Sequence, residues 1–272
     1  MKTNVVYVIV SNEKSVYLEQ AFVSIWSLKK YNPSTNVILV MDNTSNDYYN
    51  SAGYLELDYL IDKVIVHAFD DSCTNHYRSR WLKTNLCELI SEDFLFLDTD
   101  TIVLGDLSDL DSFKGNIGAV EDLHQPTLSS CRYLSFITRK TKQIGWDEFD
   151  LSKPYYNSGV LLVRNTEISR SFFKQWHENW MFGNSKGCPM DQLSLNYTNR
   201  TNDTIVHIDD KYHCQILGNG LNYLRQALVI HYFNTAKQAN KGVKPFFLMD
   251  DDYFISLKKS KKIKKGIDSW WV

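Results

Sequence analysis

Phe94-Leu95-Phe96-Leu97-Asp98-Thr99-Asp100, running on into Thr101-Ile102-Val103-Leu104-Gly105-Asp106-Leu107, is the stretch on which the fold turns. The opening apolar run is short, aromatic-rich and closed abruptly by a carboxylate, which is the pattern of a strand buried on both faces. In open α/β sheets ligands bind just beyond the carboxyl ends of the strands. Two carboxylates one residue apart at such an end can share a hard divalent cation, which takes oxygen ligands and bridges to phosphate. Asp-x-Asp also occurs in ordinary acidic turns, so its meaning depends on what surrounds it.

Upstream, strand and helix signals alternate. Val5 to Val10 reads as a buried strand, followed by a helix with Leu18, Ala21, Phe22, Ile25 and Leu28 on one face that ends before Asn32-Pro33. Val37 to Met41 predicts a second strand, Tyr48 to Leu57 a short helix, and Lys63 to His67 a third strand. A helix from about Ser79 to Ile90 then delivers the chain into Phe94–Leu97. Strands separated by helical stretches mean βαβ units, a mainly parallel sheet and right-handed crossovers. Downstream the expected strands are Ile117–Val120, Val160–Val163, Ile205–Ile208 and Leu228–His231, with a helix over Glu167–Met181 burying Ile168, Phe172, Trp176 and Trp180. Leu123–Asp150 reads as polar and irregular. With no repeat and no low-complexity linker, the expectation is one continuous α/β domain with two lobes.

The totals exclude several classes. A formal net charge of −2 over 272 residues gives no electrostatic case for nucleic acid. Five widely spaced cysteines, without CxxC or Cys/His zinc spacing, argue for reduced thiols in a cytoplasmic protein. The N-terminus enters a strand at once, without the apolar segment and cleavage site of a signal peptide, and no run approaches a membrane span. The aromatic share of 14% suits flat amphipathic ligands such as bases and sugar rings as well as core. At the other end, Lys258 to Lys265 carries six lysines with interspersed apolar residues, followed by Trp270-Trp271. Such a segment suits an anionic membrane surface, where each Lys is worth about 1 kcal/mol, as well as a solvated face.

Beside the acidic pair stand Arg78, Arg80 and Lys83 upstream, then Tyr155-Tyr156-Asn157-Ser158-Gly159-Val160-Leu161-Leu162-Val163, Asp191-Gln192-Leu193-Ser194-Leu195-Asn196, and a strand ending at His231. In this order they resemble the GT-A nucleotide-sugar glycosyltransferases, specifically family 8, which includes bacterial lipooligosaccharide galactosyltransferases and glycogenin. The resemblance runs from about Val5 to Phe246. It implies a Rossmann-like GT-A domain over 1–246, with a nucleotide-binding half (1–110), an acceptor half (111–246) and a basic, aromatic tail (247–272). It also implies Mn²⁺ (or Mg²⁺) held by Asp98, Asp100 and His231 against the diphosphate of a UDP-sugar. Val10 and Ser11 match the strand end that contacts uracil and ribose, and Thr99 sits between the two metal ligands at the nucleotide. Arg80, with Arg78 as a near-equal choice, matches the Arg that reaches the donor sugar or diphosphate. Asn157, Asp191 and Gln192 match groups at the donor sugar and its anomeric carbon. The family's His-x-x-Gly-x-x-Lys-Pro-Trp is altered here, because Gly242-Val243-Lys244-Pro245-Phe246 places Lys244 thirteen positions beyond His231. Lys244 is the phosphate-gripping candidate, with Lys237 as a substitute.

The activity so implied is transfer of a hexose to a hydroxyl of a glycan or glycolipid with retention of configuration, as in polysaccharide or lipopolysaccharide biosynthesis. The expected location is the cytoplasm, peripheral on the inner face of the membrane through the tail. Retention leaves two routes: a double displacement with Asp191 as nucleophile, or a same-face transfer in which the leaving phosphate takes the acceptor's proton. Three rivals stay open. An inverting GT-A transferase needs a base such as Asp122, His124 or Asp209. A nucleotidyltransferase needs a Gly-rich loop after the first strand, which Val10-Ser11-Asn12-Glu13-Lys14 is not. A non-catalytic sugar-binding protein needs the aromatics but not Asp98, Asp100 and His231 together.

Overall fold

The computed structural model describes residues 1–52, 55–216 and 218–232. In chain order the regular elements are β1 (Asn4–Ile9), α1 (Tyr17–Tyr31), β2 (Val37–Asp42), α2 (Asn43–Ser51), β3 (Lys63–His67), α3 (Asn75–Thr84), α4 (Leu86–Leu89) and β4 (Phe94–Leu97). They continue as β5 (Thr101–Val103), β6 (Ile117–Ala119), α5 (Leu134–Ile144), β7 (Val160–Val163), α6 (Glu167–Ser185), α7 (Asp191–Asn202), β8 (Ile205–His207), β9 (Cys214–Gln215) and β10 (Val229–His231).

Seven strands form one mostly parallel sheet in the order β3-β2-β1-β4-β7-β6-β8. The unbroken apolar runs are its centre: β2, β4 and β7 are buried at every position, whereas edge strand β3 exposes Val64 and Val66. One face packs on α1 through Leu18, Phe22, Ile25 and Leu28, and the other on α6 through Phe172, Phe173 and Trp176. Because β1 pairs in parallel with β2 on one side and β4 on the other, the order reverses between β1 and β4. That reversal is the place where an α/β sheet opens a crevice at its carboxyl edge, and Val10 and Asp98 both follow directly from these two strands. The antiparallel pairing of β4 with β7 makes the two halves of the chain one sheet.

A small second sheet, β5-β10-β9, sits over this edge. Its antiparallel register sets His231 opposite Thr101, and thus beside Asp100, although the two lie far apart in sequence. This sheet and its register are what bring the third acidic-site residue home.

Four expectations need correction. The helix expected at Ser79 begins at Asn75, because the Thr74 side chain accepts a hydrogen bond from the Tyr77 N–H. The helix expected at Tyr48 begins at Asn43, where Asp42 caps the Ser45 N–H. The stretch read as irregular contains α5, which buries only Ile137, Thr141 and Ile144 and ends at Gly145 in the left-handed region (φ 82°). Ile168, expected in the core, is 55% exposed, and Phe173 takes its place. The five cysteines form no disulfide, and no helix among the described residues is long and apolar enough to cross a membrane. Lys237, Lys244 and the Lys258–Lys265 tail lie outside the described residues.

Candidate active site

Asp98, Asp100 and His231 meet at the mouth of the β1–β4 crevice, each offering a ligand atom within 4.8 Å of the others. His231 Nε2 lies 3.1 Å from Asp100 Oδ1 and 4.0 Å from Asp98 Oδ2. Backbone bonds fix both carboxylate-bearing residues: the Asp98 N–H donates to the Gly159 carbonyl (2.8 Å) and the Tyr232 N–H to the Asp100 carbonyl (3.0 Å). Gly159 is required here, since a Cβ built on it would lie 2.4 Å from His231 Cε1 and 2.9 Å from Asp98 Oδ2. Burial pushes the Asp98 carboxyl up and the Asp100 charge adds to this, against the pull of Lys83 and His231. Burial alone would push His231 down, but Asp100 and then Asp98 outweigh it and raise the imidazole above its ordinary value. Two carboxylates and an imidazole that converge so closely on one point, around a glycine with no room for a side chain, fit a divalent cation such as Mn²⁺.

The opposite wall is built by α3 and the start of α7. Lys83 Nζ lies 3.2 Å from Asp98 Oδ1, 3.1 Å from Asp191 Oδ2 and 3.3 Å from Ser158 Oγ, with only 8% of its side chain exposed. Arg80 Nε lies 3.3 Å from the other Asp191 oxygen, and Ser158 Oγ–H donates to Asp191 Oδ2 at 3.0 Å. Burial would push Asp191 up, yet Lys83 and Arg80 hold it well below the usual carboxylate range. Both its oxygens are engaged, and it stays ionised. Trp176 secures the helix start by donating its indole N–H to the Asp191 carbonyl at 2.9 Å.

Asn157 is buried beneath this wall with its amide fully committed. Its Oδ1 accepts from the Gly159 N–H (2.8 Å), and its Nδ2 donates to Asp122 Oδ1 (2.8 Å) and Gln215 Oε1 (3.3 Å). Gln192 Oε1 accepts from the Ser158 N–H at 3.2 Å, and its side chain helps to offset the upward push of burial on the Asp122 carboxyl. A cleft of about 240 Å³ is lined by Arg80, Lys83, Asp98, Asp100, Asn157, Ser158, Asp191, Gln192 and His231. A second cavity of about 290 Å³ shares Val8, Ser79, Arg80, Asp98 and Asp100 with it and extends to Val10, Tyr17, Asn75, His76 and Thr99. The two form one trough across the end of the sheet.

Most of the residues expected from the sequence therefore line a single trough, with two departures. Ser11 sits behind it: its backbone N–H and carbonyl are bonded to Ser45, and its hydroxyl to Ser15 and the Leu18 N–H. Arg78 points away, held by Asp42 (2.9 Å), Thr44 and the Cys73 carbonyl, which leaves Arg80 as the arginine of the trough. Lys83 and Ser158 stand within the sequence motifs without a role that local sequence assigns, and only their tertiary burial reveals one. Of the bases considered for an inverting reaction, Asp122 is buried on Asn157, His124 is buried against Asp210 and stacks on Tyr223, and Asp209 caps the Lys211 N–H at the surface. A second His–carboxylate group, Glu121, His207 and Asp210, lies nearby. There the His207 ring is 2.7 Å from Glu121, whose hydrogen bond raises its pKa, so the group is accounted for as an ion pair.

Comparison with solved structures gives the same fold. Mouse xyloside xylosyltransferase 1 in its apo form aligns with a TM-score of 0.56 at 15% identity, covering 85% of this chain and 97% of that one. The glycosyltransferase GlyE of Streptococcus pneumoniae TIGR4 aligns with a TM-score of 0.57 at 17% identity, covering 97% of this chain and 66% of that one. No curated protein matches the sequence. The sequence profile of glycosyl transferase family 8 matches residues 8–240. With that match spanning most of the chain and the trough lying within it, the protein belongs to glycosyl transferase family 8.

Proposed function

We propose that this glycosyltransferase moves a hexose from a UDP-sugar to a hydroxyl of a glycan or glycolipid, with retention of configuration and with a divalent cation bound by Asp98, Asp100 and His231. The observation that carries the reading is the convergence of those three side chains, two from the turn between β4 and β5 and one from β10, on one point of a trough walled by Arg80, Lys83 and Asp191. A divalent cation bound there would act as a Lewis acid on the departing diphosphate. The remaining work falls to the protein. Val10, Tyr17, Asn75, His76 and Thr99 make the end of the trough that receives the nucleoside. Arg80, 35% exposed on its side chain, supplies positive charge to the diphosphate as the sugar–phosphate bond breaks. Asp191 and Gln192 face the sugar, their oxygens retaining lone pairs for its hydroxyls, while Asn157 holds the floor under them.

The state of Asp191 supports the same-face route. A carboxylate countered on one oxygen by Arg80 and on the other by Lys83 is a weak nucleophile, whereas same-face transfer asks only that it hold the sugar while the leaving phosphate accepts the proton. The halves of the chain divide accordingly, residues 1–110 for the nucleotide and 111–246 for sugar and acceptor. Release of UDP from a panel of UDP-sugars in the presence of Mn²⁺ tests the reading, with NMR of the product's anomeric proton reading the stereochemistry. Mn²⁺-dependent release from at least one donor and a retained anomer are expected, with both lost in Asp100→Asn. Release that survives Asp100→Asn with unchanged metal dependence would refute the site, and an inverted anomer would refute the route.

A further inference from the structure

His213 is completely buried edge-on beside His231, with ring centroids 5.1 Å apart and planes 23° from parallel. Its Nε2 lies 2.9 Å from His231 Nδ1. The parallel pairing of β9 with β10, which aligns Cys214 with Ile230 and Gln215 with His231, sets the two rings side by side. On its far side His213 Nδ1 has no hydrogen-bond partner among the described residues. The fold thus buries an imidazole at the cost of one unsatisfied nitrogen, and the contact it obtains in return is the one to His231.

Two imidazole nitrogens at this distance need one proton between them. With the proton on His213, His231 keeps its own on Nε2, pointing at Asp100, and cannot offer that nitrogen to a cation. With the proton on His231 Nδ1, donated to His213 Nε2, the Nε2 lone pair is free and aimed between Asp98 and Asp100. A ligating histidine usually has its other ring N–H held by an acceptor, which fixes tautomer and ring orientation and is worth about 10–100-fold in metal affinity. We propose that His213 is a positioning residue for the cation site: its Nε2 accepts the Nδ1–H of His231 and so fixes the tautomer that leaves Nε2 for the metal. Gly159 packs against the same ring at Cε1 and Nδ1, so His231 is held by close contact as well as by the hydrogen bond. The inference rests on the metal reading given above.

The test uses the full chain and the metal alone. Mn²⁺ affinity is measured by the electron paramagnetic resonance signal of the free ion for the parent, His213→Gln, which keeps an acceptor near the Nε2 position, and His213→Leu, which removes it. Folding of each is followed by thermal unfolding in chelator. Affinity is expected to fall at least tenfold in His213→Leu and to stay within about threefold of the parent in His213→Gln. Independently, nitrogen-15 shifts of the parent saturated with diamagnetic Mg²⁺ should show His231 protonated at Nδ1 and not at Nε2. A folded His213→Leu with parental affinity, a His213→Gln as impaired as His213→Leu, or a His231 unprotonated at Nδ1 would each overturn the proposal. A parent chain that binds no Mn²⁺ would instead overturn the metal reading, and this inference with it.

Discussion

Replacing Gly159 with alanine perturbs the site without removing a single ligand. The added Cβ would lie 2.4 Å from His231 Cε1, 2.8 Å from its Nδ1 and 2.9 Å from Asp98 Oδ2. Such contacts relax at about 3.5 Å, so something must move by about 1 Å. The backbone of residue 159 has little freedom, because its carbonyl accepts from the Asp98 N–H and its N–H donates to Asn157 Oδ1, both at 2.8 Å. The strain therefore falls on the His231 ring and the Asp98 side chain, pushing both away from their meeting point. Overpacking of this kind costs about 1–3 kcal/mol of stability. Displacing two of the three ligands is expected to weaken Mn²⁺ binding by at least tenfold, or about 1.4 kcal/mol. Isothermal titration with Mn²⁺, paired with a thermal unfolding curve, reads both effects. An alanine variant that binds Mn²⁺ as tightly as the parent with an unchanged unfolding midpoint would show that this glycine does not pack against a metal site.

Lys83→Met should destabilise the fold by about 3–5 kcal/mol, because it strips a buried cation from Asp98 and Asp191, and chemical denaturation would show an unchanged midpoint if the three do not interact. Asp191→Ala should lower turnover far more than UDP affinity, since the proposed reading sets this carboxylate at the sugar rather than the nucleotide; equal loss of both, by kinetics and UDP titration, would assign it a structural role. His207 is raised above 6.5 first by its hydrogen bond to Glu121, against burial. Its ion pair therefore contributes fully below about pH 6.5 and is lost as pH rises through the higher folded value. An NMR titration of His207 that does not shift downward on Glu121→Gln would contradict this.

The central strands were legible because burial on both faces leaves an unmistakable trace: Val37–Met41, Phe94–Leu97 and Val160–Val163 are continuous apolar runs that need no tertiary information. The start of α3 was not, because its first turn, Asn75-His76-Tyr77, is polar and its only signal is the Thr74 cap. Helix α5 did leave a helical period, with Leu134, Ile137, Thr141 and Ile144 on one face ahead of the terminal Gly145, but the polar residues between them and the irregular stretch around it hid the pattern. In the site, Asp98, Asp100, Asn157, Asp191 and Gln192 stood next to strand ends or a helix start, where local sequence already implies a position. Lys83, Ser158 and His213 act through what packs around them. A lysine on a helix reads as solvated until the fold brings Asp98 and Asp191 against it, and His213 gains meaning only when the second sheet sets it beside His231.

Anomalous scattering from crystals soaked with MnCl₂ and UDP, recorded at the manganese edge, addresses the central claim most directly. The account predicts one strong peak in contact with Asp98, Asp100 and His231, with the UDP diphosphate against it and the nucleoside toward Val10 and Thr99. A peak confined to other residues, or UDP bound in the trough with no manganese between it and the two aspartates, would contradict it.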